Sequence, residues 1–77
     1  MDQIKIGAFL KELRKAKKLT QEQLAEQLNV SNRTVSRWET GSNMPDIGLL
    51  VEIADFYDVS IDYLLLRTNT KEPYPKK

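Results

Sequence analysis

Four polar side chains recur at helical spacing between positions 32 and 37, and their types decide what chemistry this stretch could perform. They are Asn32, Arg33, Ser36 and Arg37. Asparagine can bond bidentately to adenine, arginine to guanine, and serine to several base edges or to a phosphate. None of the four is needed to hold a helix together, so the set favours hydrogen bonding to double-stranded DNA. The ordinary alternative is the solvated face of a surface helix.

Two features favour the binding interpretation. The helix that carries these side chains has no Asp or Glu before Glu39, so its first two turns present no charge that would repel a phosphate. Thr20 and Gln21 stand at the start of the preceding helix. We expect them to lie beside the start of the helix at about residues 32–39. Exposed N–H groups at helix starts can hold a backbone phosphate.

Several kinds of chemistry are not expected of this chain of 77 residues, which contains no Cys and no His. It has no thiolate nucleophile, no imidazole base and no zinc site of the usual kinds. Catalysis by Asp and Glu needs a sheltered pocket, for which one small domain has little room. We therefore expect no enzymatic activity, no cofactor and no metal. No apolar stretch approaches the roughly 20 residues of a membrane span, and no secretory signal is visible. The sequence therefore predicts a cytoplasmic protein without a membrane partner.

The net charge of +1 is unevenly distributed. Residues 1–45 carry eight basic and five acidic side chains, residues 46–66 carry five acidic and no basic ones, and residues 67–77 carry four basic and one acidic. A polyanion would therefore prefer to bind residues 1–45, and residues 67–77 would be its second choice.

Helix signals recur along the chain, and no strand alternation competes with them. A first helix over about residues 3–17 has one apolar stripe, formed by Ile6, Phe9, Leu10 and Leu13. Each of four further helices begins at a residue suited to an N-cap: Thr20, Ser31, Asp46 and Ser60.

The predicted helix ends fall on residues that tolerate a positive φ. Gly41 ends the third helix, Asn29 lies in the turn between the second and third, and Asp58 ends the fourth. We expect a domain over residues 1–67, followed by a flexible polar tail or the start of a linker over residues 68–77.

Residues 20–41 outline two short helices joined by a tight turn, which is a helix-turn-helix. Ala25 is small where the two helix backbones must approach. The side predicted to be buried comprises Leu24, Ala25, Leu28, Val35 and Trp38.

Three stretches resemble the Cro and cI-type helix-turn-helix family, also called the XRE family. They are LRKAKKLTQEQLAEQL, NVSNRTVSRWETG and PDIGLLVEIADFYDVSIDYLL, within about residues 6–66. The resemblance implies an all-α fold, a five-helix bundle of the lambda-repressor-like DNA-binding type, in which helices 2 and 3 form the helix-turn-helix. It also implies a transcriptional regulator that binds double-stranded DNA as a homodimer. Repression is the expected effect of this binding, and activation is the alternative.

The resemblance further implies roles for particular residues. Asn32, Arg33, Ser36 and Arg37 would contact DNA bases, and Gln21, Ser31 and Thr40 would contact phosphates. Arg14 and Glu39 match a family ion pair that ties helix 1 to the end of helix 3; the alternative is two unrelated surface charges. Asn29 and Asp58 stand where the family commonly has glycine.

A second hypothesis is a protein-interaction module, such as an antitoxin or a regulator subunit, that uses helices 4 and 5. Those helices are acidic, and Phe56 and Tyr63 are expected to form a partly exposed apolar patch.

Overall fold

The computed structural model describes residues 2–72 and is helical throughout its regular structure. Five helices are present in this range: α1 Gln3–Ala16, α2 Gln21–Leu28, α3 Asn32–Thr40, α4 Ile47–Tyr57 and α5 Ile61–Leu64. They fall into two compact units, α1 to α3 in one that ends at Met44, and α4 with α5 in one that begins at Pro45. The predicted all-α class and the predicted number of helices are confirmed.

Each helix begins at a side chain that accepts a hydrogen bond from a backbone N–H three residues later. The four predicted caps do so over 2.9–3.1 Å. At Thr20 the arrangement is a full capping box, because Gln23 Oε1 also accepts from the Thr20 N–H at 2.9 Å. Asp2 caps α1 in the same way, accepting from the Lys5 N–H at 3.0 Å, which the sequence reasoning did not anticipate.

Within two residues of its last residue, each of the five helices is followed by a residue of left-handed conformation, and the next N–H reaches back five residues to a helix carbonyl. Asn29 (φ 57°), Gly41 (φ 80°) and Asp58 (φ 55°) occupy this position as predicted. Lys18 (φ 59°) and Leu66 (φ 61°) occupy it as well, although neither side-chain type favours that conformation. The returning hydrogen bonds are Leu19 to Arg14, Val30 to Ala25, Ser42 to Arg37, Val59 to Ala54 and Arg67 to Asp62.

The first unit buries the side chains predicted from the helical pattern. They are Ile6, Leu10, Leu24, Ala25, Leu28, Val35 and Trp38, while Phe9 and Leu13 are half-buried. Gly7 lies where α1 approaches the backbone of α3, since a Cβ atom there would collide with the Trp38 carbonyl oxygen. A side chain at position 7 would therefore push the two helices apart.

The second unit buries one side of α4 together with residues around α5. Its buried side chains are Leu50, Ile53, Ala54, Tyr57, Val59 and Leu64. The rings of Phe56 and Tyr57 meet edge to face, with centroids 5.1 Å apart. Phe56 and Tyr63 are half-buried, and the most exposed apolar side chain of α4 is Ile47.

The predicted boundary at residue 67 remains a prediction. Residues 68–72 form no helix, but two of their carbonyls accept hydrogen bonds from Ser60: Lys71 from its N–H at 2.8 Å and Thr70 from its hydroxyl at 3.2 Å. Residues 73–77 of the predicted tail lie outside the described residues. None of the helices in residues 2–72 is long and apolar enough to cross a membrane.

Candidate nucleic-acid interface

The connection between α2 and α3 is a three-residue turn set by its own side chains. Asn29 adopts the left-handed conformation, and the Val30 N–H then bonds the Ala25 carbonyl at 3.0 Å. Ser31 returns the chain to an extended conformation (φ −80°, ψ 155°), and its hydroxyl caps α3. A turn of this length between two short helices is typical of a helix-turn-helix.

Helix α3 has a buried side and a polar side. Val35 is fully buried and Trp38 is 4% exposed. Asn32, Arg33 and Arg37 are exposed, whereas Ser36 is half-buried. The predicted base-contact residues thus share one helix, and three of the four are open to solvent.

Glu39, the only acidic residue of α3, is held inside the first unit by an ion pair with Arg14. Arg14 Nε donates to Glu39 Oε2 at 2.7 Å and Arg14 Nη2 donates to Oε1 at 2.9 Å. The two side chains are 9% and 3% exposed, respectively. The structure therefore contains the ion pair that the resemblance implied, in a bidentate geometry that surface pairs rarely hold.

The same ion pair joins three further parts of the first unit. Arg14 Nη1 donates to the Leu19 carbonyl at 2.7 Å, and Gln21 Nε2 donates to Glu39 Oε1 at 3.0 Å. The network links the end of α1, the loop before α2, the first residue of α2 and the end of α3. It fixes the orientation of α3 and withdraws the one negative charge of that helix from its polar side.

The three residues predicted to contact phosphates each make a hydrogen bond within the chain. Gln21 is half-buried and bonds Glu39, while Ser31 and Thr40 are exposed. The Ser31 hydroxyl bonds that of Thr34 at 2.8 Å, and the Thr40 hydroxyl donates to the Arg37 carbonyl at 3.2 Å. Their predicted contacts with phosphate remain predictions.

Two features that hold α3 in place were missed by sequence reasoning. Gln3 Nε2 donates to the Gly41 carbonyl at 2.7 Å and so binds the first turn of α1 to the end of α3. Gly7 allows the close approach of the same two helices. An isolated glycine inside a helical pattern is the one signal that could have indicated such an approach.

The comparison with protein families gives a match over most of the chain. Residues 10–64 match the Helix-turn-helix family. Among curated relatives, the HTH-type transcriptional activator BcrR of Enterococcus faecalis is 52% identical over 56 residues, which are 73% of this chain and 28% of BcrR. The chain spans about half the length of other curated relatives that it matches.

Two solved structures share the fold over most of their own length. The restriction-modification controller protein C.AhdI from Aeromonas hydrophila is 32% identical with a TM-score of 0.75. The P22 c2 repressor protein, solved in complex with a synthetic operator, is 30% identical with a TM-score of 0.76. Each likeness covers 82% of this chain and 96% of the other. The family match, the curated relatives and the solved structures all indicate the same family. This chain belongs to the helix-turn-helix family of XRE (Cro/cI) type.

Proposed function

We propose that this chain is a sequence-specific DNA-binding domain of a transcriptional regulator, and that α3 reads base edges in the major groove. One observation carries the proposal: the polar side of α3 is exposed and has no structural task. Among the described residues, no hydrogen bond or ion pair engages the Arg33 or Arg37 guanidinium, whereas the buried side chains Val35, Trp38 and Glu39 anchor the other side of the helix. Asn32, Arg33, Ser36 and Arg37 are the proposed base contacts.

The charge around α3 supports the same proposal. A carboxylate facing the DNA would repel phosphates, but Glu39 is buried and compensated by Arg14. Gln21, Ser31 and Thr40 are the proposed phosphate contacts, which would set the register of α3 on the duplex. Gln21 keeps a second amide hydrogen for this purpose while its first bonds Glu39.

The relatives suggest the biological setting. The P22 c2 protein is a repressor in complex with an operator, and BcrR is named an activator. We infer that the regulator is cytoplasmic and represses transcription by blocking the access of RNA polymerase to the promoter. Activation of transcription is the alternative effect of the same DNA binding. A homodimer would place two α3 helices about 34 Å apart, one turn of DNA, on an operator with two-fold symmetry.

The test begins with selection of bound sequences from a random DNA pool, which returns the site, its symmetry and its half-site spacing. Binding to the selected site is then measured by fluorescence anisotropy. Arg33→Ala and Arg37→Ala should each weaken binding by about 1–3 kcal/mol and relax the preference at one base pair. Arg67→Ala is the matched control, because Arg67 is an exposed arginine outside the helix-turn-helix. Unchanged affinity and base preference in both α3 variants would contradict the proposal.

A protein-interaction role for α4 and α5 is the second candidate. The observation that favours it is the exposure of Ile47 (78%) and Val51 (42%), which are neighbours four residues apart on α4. The variant Arg33→Ala/Arg37→Ala separates the two candidates, because it should lose regulation that depends on DNA binding and keep regulation that depends on α4 and α5.

A further inference from the structure

Arg33 and Arg37 lie four residues apart on α3 and differ from the other arginines of the chain. Arg14 is bound to Glu39 and Arg67 to Asp62. In residues 2–72, neither the Arg33 nor the Arg37 guanidinium has an intramolecular partner, and both side chains are exposed. Both are therefore available to an external ligand without breaking an existing bond.

The chemistry of the guanidinium selects the base that these side chains would read. Guanine presents two acceptors side by side in the major groove, O6 and N7, and the guanidinium fork matches that pair with two donors. Adenine, thymine and cytosine each present at least one donor or a methyl group where the fork needs a second acceptor. A base-reading arginine in this helix therefore favours a G·C pair.

Helix geometry sets the spacing of the two contacts. Four residues rise about 6 Å along an α-helix, and residues four apart lie on the same face. Successive base pairs are about 3.4 Å apart along the duplex axis, so a displacement of about 6 Å in that direction corresponds to about two base-pair steps. We propose that each operator half-site contains two G·C pairs two steps apart, one read by Arg33 and the other by Arg37. This inference rests on the proposed function.

The base pair between the two guanines should be read more weakly. Two polar residues of α3 lie between the two arginines, Thr34 and Ser36, and both are short and half-buried. The Thr34 hydroxyl already bonds that of Ser31 at 2.8 Å, which leaves Ser36 to face the intervening base pair. A serine hydroxyl both donates and accepts, so it accommodates several base edges. The half-site is therefore defined by the spacing of its two guanines more than by the pair between them.

The test uses the full chain and the sequences it selects from a random DNA pool. Each conserved guanine of the selected half-site is replaced in turn by 7-deazaguanine, which keeps the Watson–Crick pair but lacks the N7 acceptor. Binding of wild type, Arg33→Ala and Arg37→Ala is then measured to every substituted site. One deaza substitution should weaken wild-type binding by about 5-fold or more. It should weaken the variant that has lost the corresponding arginine by less than about 2-fold, because the contact is already absent.

The outcomes separate this inference from the function on which it rests. Two guanines at the stated spacing, each coupled to one arginine, support it. Sequence-specific binding to sites without such guanines, or deaza effects that neither arginine variant removes, overturn the inference and leave the proposed function intact. Absence of any sequence-specific DNA binding overturns both. Arg67→Ala should keep the wild-type response to every deaza substitution, which controls for the loss of one positive charge.

Discussion

Replacing Arg14 with methionine should lower the free energy of unfolding by about 3–5 kcal/mol, because the Glu39 carboxylate would remain buried without its cation. The Glu39 side chain is 3% exposed, so water cannot replace the two lost bonds of 2.7 and 2.9 Å without opening the first unit. Among the described residues, the neutral Gln21 amide would be the remaining side-chain donor to that carboxylate.

The size of this loss can be judged against the stability of so small a protein. A domain of this length is stable by roughly 5–10 kcal/mol, so the substitution should remove a large fraction of the total. The melting temperature should fall by more than about 10 °C. Adding Glu39→Leu to Arg14→Met should recover much of the loss, because the buried charge is then gone as well. The Leu19 carbonyl, which accepts from Arg14 Nη1, would still lack its partner at a cost of about 1–3 kcal/mol.

Urea denaturation followed by tryptophan fluorescence measures these changes. Trp38 is the one tryptophan of the chain and is buried in the same unit as the ion pair. Arg67→Met is the matched control, because the Arg67–Asp62 pair spans 3.3 Å and both side chains are about two-thirds exposed. It should cost less than about 1 kcal/mol. The prediction is refuted if Arg14→Met lowers the free energy of unfolding by no more than Arg67→Met does, with the same slope against urea concentration. Burial would then not make the Arg14–Glu39 pair more stabilising than an exposed pair.

Three further predictions follow from the geometry. Gly7→Ala should destabilise by about 1–3 kcal/mol, because the new Cβ meets the Trp38 carbonyl. Gly48→Ala, where the nearest atom would be 3.5 Å away, is the control and should stabilise by about 0.5 kcal/mol. A thermal melt in which Gly7→Ala is at least as stable as the wild type would refute the close approach. Lys18→Gly should stabilise by up to about 1 kcal/mol since φ is 59°, and Lys15→Gly inside α1 should do the opposite, as measured in urea. The affinity for DNA should fall steeply between 50 and 200 mM salt as phosphate-bound cations are released, and a flat response would contradict the phosphate contacts.

The features that the sequence predicted correctly depend on neighbours along the chain. Thr20, Ser31, Asp46 and Ser60 could be assigned as caps because a cap bonds an N–H three residues away. Asn29 could be placed in a left-handed turn because its side-chain type tolerates positive φ.

The missed features depend on residues far apart in the chain. Gln3 bonds a carbonyl 38 residues away, and Gln21 bonds Glu39 across 18 residues, so neither contact follows from local spacing. The Arg14–Glu39 pair spans 25 residues and was expected only because the chain resembles a known family. Lys18 and Leu66 show the same limit: tertiary structure imposes a left-handed turn where the side-chain type gives no signal.

The division of α3 into an anchored side and an unattached side has a consequence for how such a protein can evolve. Changes at Asn32, Arg33 or Arg37 remove no buried contact, so each should leave the fold within its narrow margin of stability. If α3 reads bases as proposed, descendants of this chain acquire new target sequences by single substitutions, without compensating changes elsewhere. Substitutions at Gly7, Arg14 or Glu39 lack that freedom, and lineages that diverge in specificity should retain these three residues.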